Sequence, residues 1–101
     1  MSETAQSSRR PLLIELGGDI DLANAEALGD ALCEAIDRTR SEMLVDLSEV
    51  PFIDSRGVAM MARVHEHAST QHCSVTWRGL QPRPARVLGI TGLDATLLIE
   101  K

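Results

Sequence analysis

Within some twenty-five residues the hydrophobic pattern of this chain changes period, and that change restricts the fold more than any other feature of the sequence. Met43 to Leu47 is an apolar run broken only by Asp46 and followed by Ser-Glu-Val-Pro, which marks a short core strand. After Phe52-Ile53 and the turn-forming Asp54-Ser55-Arg56-Gly57, residues Val58, Met61, Ala62, His65 and Ala68 fall on one face at about 100° per residue. A strand that gives way to an amphipathic helix through a short polar turn is an α/β device. The spacing predicts a helix starting near Arg56 with Ser55 as its N-cap.

The flanking segments extend this pattern. Leu12, Ile14 and Leu16 alternate as in a strand, Gly17-Gly18 interrupts them, and Ile20 and Leu22 resume, which gives two short strands or one broken one. Asn24 suits an N-cap, and Ala25, Leu28, Leu32, Ala35 and Ile36 recur at helical spacing, so a first helix is expected over 25–39. Ser74 to Trp77 is a further strand, Pro84 suits the first position of a third helix, and Gly92 closes it. Leu97 to Ile99 forms a last strand or a docked turn. The order calls for a small sheet of mixed direction covered by helices.

A chain of 101 residues with 44% hydrophobic content supports one core, placed at residues 11–101. Met1 to Arg10 is polar and aperiodic, and is expected to be a mobile tail. No run approaches the roughly 20 apolar residues of a membrane span, and no signal peptide is evident, so a cytoplasmic location without direct membrane insertion is expected. Cys33 and Cys73 suit buried small hydrophobes better than a disulfide framework.

The net charge of −5 argues against nucleic acid as a partner, because phosphate binding needs a basic surface. The charge is unevenly spread. Through Asp54 there are twelve acids and four bases, and from Ser55 onward three acids and six bases, which points to a basic patch around Arg56, Arg63, Arg83 and Arg86. His65, His67, His72 and Cys73 do not suggest a metal site, since His65 and His67 point about 200° apart on a helix. Gly17-Gly18 lacks the Lys-Ser/Thr of a phosphate-cradling loop, and Ser55 has no evident His/Asp triad pattern. No cofactor or enzymatic activity is expected.

The segment LVDLSEVPFIDSRGVAMM resembles the signature of STAS domains, GGDIDLANAEAL is similar to the motif before that family's first helix, and RPARVLGITGLD to its third helix and following turn. Together they cover nearly the whole chain after Pro11, in the family's order. The resemblance implies a STAS fold and, in the branch most alike, an anti-sigma factor antagonist. Such a protein binds an anti-sigma factor that is also a serine/threonine kinase, and is inactivated when the kinase phosphorylates the serine after Asp, here Ser55. A phosphatase would restore it, and sigma-factor-dependent transcription would be the output. The resemblance also implies alternatives: an accessory subunit of a lipid-transporting ABC complex, or a component of a stress-signalling scaffold. Where the family usually has Ser or Thr this chain has Arg56, and where it usually has Ser before the proline of the third helix this chain has Arg83.

The expected partner surface comprises Asp21, Asp54, Ser55, Arg56, Gly57, Met60, Arg63 and His67, in a protein that is monomeric or weakly dimeric. Arg56, Met60, Arg63 and His67 follow i, i+4, i+7, i+11 spacing and are expected to face away from the Val58 to Ala68 stripe. Asp19 and Asp21 are candidates to shape the surface near Ser55. A phosphate adds a charge of about −1.5 to −2, which a partner surface shaped for a neutral hydroxyl would reject without the domain unfolding.

Overall fold

The computed structural model describes residues 11–100; the tail expected over 1–10 lies outside the described residues. Strand β1 spans Leu12–Gly17, helix α1 Ala25–Thr39, β2 Met43–Glu49, α2 Ser55–Thr70, β3 Val75–Arg78, α3 Pro82–Thr91 and β4 Leu98–Ile99, with a 3₁₀ turn at Leu93–Ala95. The first helix has the bounds that its apolar spacing predicts, and the C-terminal segment is a strand.

The four strands lie in chain order, β1-β2-β3-β4, and every pair is parallel. The α/β class is as expected, while the mixed direction is not found among the described strands. The reason is the connections: each passage from one strand to the next runs through a helix, and a helical crossover returns the chain parallel. The resumed alternation at Ile20 and Leu22 forms no second strand; Ile20 makes only an isolated parallel bridge to Ile53.

One side of the sheet meets the helices. Met43, Val45 and Leu47 of β2 and Val75 and Trp77 of β3 are buried, together with Leu32 and Ile36 of α1, Val58, Met61, Val64 and Ala68 of α2, and Leu88 of α3. Residues of alternate parity, Leu13, Leu44, Asp46, Thr76 and Arg78, remain half-buried or exposed, as strand geometry requires when only one face is covered.

The third helix begins earlier than expected. Gln81 is its N-cap and Pro82 its first residue, so Pro84 sits inside the first turn, where it is buried. Both prolines are tolerated there because first-turn amides have no acceptor within the helix. Gly92 ends the helix in the left-handed conformation at φ 80°, as its position predicts. No helix among the described residues is long and apolar enough to cross a membrane.

Candidate functional site

The site forms where the loop after β1 meets the start of α2. Asp21 accepts the Ala25 amide at its carbonyl, 2.8 Å, and the Ala23 amide at Oδ1, 3.0 Å. Asn24 is the residue before α1, yet its side chain turns backward: Oδ1 accepts from the Asp21 amide and Nδ2 donates to the Asp19 carbonyl. It braces the 19–24 loop and makes no side-chain bond to the helix amides. Asp19 contributes this carbonyl, and Asp21 holds the loop together from within.

Two backbone bonds join this loop to the segment before α2. The Ile20 amide donates to Phe52 at 3.0 Å, and the Asp54 amide donates to Ile20 at 3.1 Å. Asp54 then completes the junction with its carboxylate. Oδ1 accepts the Arg56 and Gly57 amides at 2.9 and 3.0 Å, while Oδ2 accepts the Leu22 amide at 3.2 Å.

Asp54, not Ser55, is therefore the N-cap of α2. Aspartate places a carboxylate against the orphan amides and the positive end of the helix dipole, and a second oxygen remains for the neighbouring loop. Ser55 becomes the first residue of α2, exposed, with no hydrogen bond from its hydroxyl among the described residues.

Gly57 and Met60 do not belong to the outer surface. Both are buried. A Cβ on Gly57 would stand 2.4 Å from Ile53 Cγ2, 3.0 Å from Ile20 Cγ2 and 3.2 Å from the Ile20 carbonyl oxygen, so this glycine lets α2 settle directly on the junction below Ser55. Met60 packs at Gly29 of α1, where a Cβ would lie 3.1 Å from its Cγ. Sequence spacing treats α2 as having one buried face. In the fold it has two, because the missing side chain at Gly29 admits a close approach by α1.

Arg63 and His67 lie on the same seam, so the proposed outward stripe faces α1. The Arg63 guanidinium donates to Asp30 at 2.5 Å, and His67 Nε2 is 2.8 Å from Asp37 Oδ1. The Asp30 hydrogen bond also raises the Arg63 pKa further above its ordinary value. These partners advance together along α1 and α2, which means that the two helices run in the same direction. Arg63 and the aspartates remain at the rim, whereas Arg56 is exposed and has no carboxylate partner among the described residues. A shallow groove of about 270 Å³ runs beside Arg56, floored by Ala25 and Met60 and edged by Leu22, Glu26 and Arg63.

Sequence reasoning missed the position of Phe52 and Arg83. The Arg83 guanidinium, from the first turn of α3, lies 5.3 Å from the centroid of the Phe52 ring. Nothing in the spacing of residues thirty-one apart signals this contact. No group of three His, Cys, Asp or Glu among the described residues is arranged to hold a metal ion.

A parallel sheet with helices on one face, and an exposed serine opening the second helix beside an aspartate cap, define a STAS-type domain. The family model described as "Mlab, STAS domain" matches residues 3–100, and the chain belongs to that family. It is 33% identical over 85 residues to the anti-sigma-F factor antagonist RsfB of Mycobacterium tuberculosis, covering 83% of this chain and 68% of that protein. The fold is also similar to that of Thermotoga maritima TM1081, with a TM-score of 0.78 at 18% identity over 88% of this chain and 79% of the other. It resembles the Bacillus cell fate determinant SpoIIAA in its phosphorylated form, with a TM-score of 0.67 at 18% identity over 93% and 86% of the two chains. At these identities the structural likeness is one of fold.

Proposed function

We propose that this chain is an anti-sigma factor antagonist. It binds an anti-sigma factor serine/threonine kinase in the cytoplasm, is released when Ser55 is phosphorylated, is restored by a phosphatase, and so controls sigma-factor-dependent transcription. The observation that carries the reading is the state of Ser55: an exposed residue at the first position of α2, next to the Asp54 cap, whose hydroxyl makes no hydrogen bond among the described residues. The likeness to RsfB supports it.

The binding surface in this reading is Asp21, the exposed edge of Asp54, Ser55 and Arg56, with Arg63 and His67 at the rim and Gly57 and Met60 supporting it from below. The protein acts as a kinase substrate and binding module and has no catalytic step of its own. Phosphorylation puts about −1.5 to −2 charges and three strong acceptors next to the Asp54 carboxylate. A partner surface matched to the neutral hydroxyl is then faced with bulk and repulsion, while the Asp54 network that builds the loop need not change.

The test is binding of wild type, Ser55→Ala and Ser55→Asp to anti-sigma kinases from the same cell, with and without ATP, and mass spectrometry of the modified site. Binding by wild type, modification confined to Ser55 and loss of affinity in the Asp form are the expected results. Co-purification with an ATPase and a permease in place of a kinase would overturn the reading in favour of an ABC-complex subunit. Large particles by light scattering would favour a scaffold.

A further inference from the structure

A phosphate on Ser55 has few amides left to bind it. The Arg56 and Gly57 amides already donate to Asp54 Oδ1, and the Val58 amide to the Asp54 carbonyl at 3.0 Å. The adjacent Asp54 carboxylate opposes a dianion. Compensation then falls to side-chain cations, and Arg56 and Arg83 are the candidates.

Arg56 is the next residue, exposed and without a carboxylate partner among the described residues. Arg83 is likewise unpaired with any carboxylate there, and its guanidinium is held over Phe52, three residues before Ser55. Phe52 is itself fixed by the bond its carbonyl accepts from Ile20. By contrast, Arg63 and Arg78 are already committed to Asp30 and Asp46.

We propose that Arg56 and Arg83 together receive the phosphate of modified Ser55, Arg83 leaving the Phe52 ring to do so. This rests on Ser55 being the modified residue in the proposed function. An exposed cation–ring contact is weaker than a charge-assisted guanidinium–phosphate pair, so the exchange runs toward the phosphate. The modified site is then partly neutralised from within. Two guanidiniums that are open to a partner in the unmodified protein become occupied, and the start of α3 is tied to the start of α2.

The experiment installs phosphoserine at position 55 during synthesis and follows its second ionisation by ³¹P NMR titration. Nearby cations favour the dianion, so the wild-type midpoint should lie below that of Arg56→Gln and of Arg83→Gln, each by about half a pH unit. Arg86→Gln, on the same helix and in no ring contact among the described residues, should leave the midpoint close to wild type. A midpoint that moves in Arg56→Gln alone, or in neither variant, overturns the two-arginine arrangement. Because no kinase is needed, a flat titration leaves the proposed function standing, and failure to find a kinase leaves this measurement interpretable.

Discussion

Gly57→Ala is the substitution whose consequence the geometry determines most directly. The new methyl would stand 2.4 Å from Ile53 Cγ2, and Ile53 is itself buried, 1% exposed. Retreat toward Ile20 is blocked by its Cγ2 at 3.0 Å and its carbonyl oxygen at 3.2 Å, an oxygen that accepts the Asp54 amide. Overpacking of this kind costs about 1 to 3 kcal/mol, and a clash against backbone belongs at the upper end. Alanine regains less than about 1 kcal/mol of helix propensity, because the site is in the first turn. The expected net loss is about 2 kcal/mol, which lowers Tm by roughly 8 to 16 °C in a domain of this size. Urea unfolding followed by the fluorescence of Trp77, the sole tryptophan and fully buried, should show a midpoint lower by about 1 M. Ile53→Ala in the same background should remove the clash, with a coupling of about 1 kcal/mol or more. A Gly57→Ala protein as stable as wild type, or a double variant additive within about 0.5 kcal/mol, would refute the reasoning.

Other consequences can be checked on the same purified protein. Asp54→Ala strips the acceptor from three backbone amides and should cost about 1 to 2 kcal/mol in urea unfolding, with faster hydrogen exchange at Leu22, Arg56 and Gly57. Burial pushes the Cys33 thiol pKa up and hides the sulfur, so iodoacetamide should modify the half-exposed Cys73 first and reach Cys33 only on unfolding. Asp46 has its carboxyl pKa lowered by hydrogen bonds from the Ser48 hydroxyl and amide and then by Arg78. A depressed carboxylate contributes stability that is complete above its unfolded value of about 3.9 and disappears as pH falls through the folded value. Asp46→Asn should therefore lose less stability than wild type between pH 5 and pH 2, measured as urea midpoints.

The chain's local patterning determined a good deal by itself. The apolar spacing of 25–39 marked helix α1 to its end residues, Gly92 marked the end of α3, and the period change after Leu47 placed the strand–turn–helix that carries Ser55. Such signals are short-range: a helix repeats every 3.6 residues wherever it is packed, and a glycine adopts positive φ without help from distant residues. The motif resemblance indicated the family for the same reason, since its three segments are contiguous.

Only the tertiary structure decided which of these side chains are exposed and which are committed to packing or bonding. Asp54 took the cap expected of Ser55 by accepting the Arg56 and Gly57 amides, and its second oxygen accepts the amide of Leu22, thirty-two residues away. Met60, Arg63 and His67 turned from a free face into a seam because Gly29 brings α1 close. Gly57 became a packing requirement because Ile20 and Ile53 meet beneath it, and Arg83 came to rest on Phe52, thirty-one residues away. Periodicity along one helix identifies a buried face but not how many neighbours press on it. That number is set by long-range approach, which becomes definite only when the strands pair and the helices close over them.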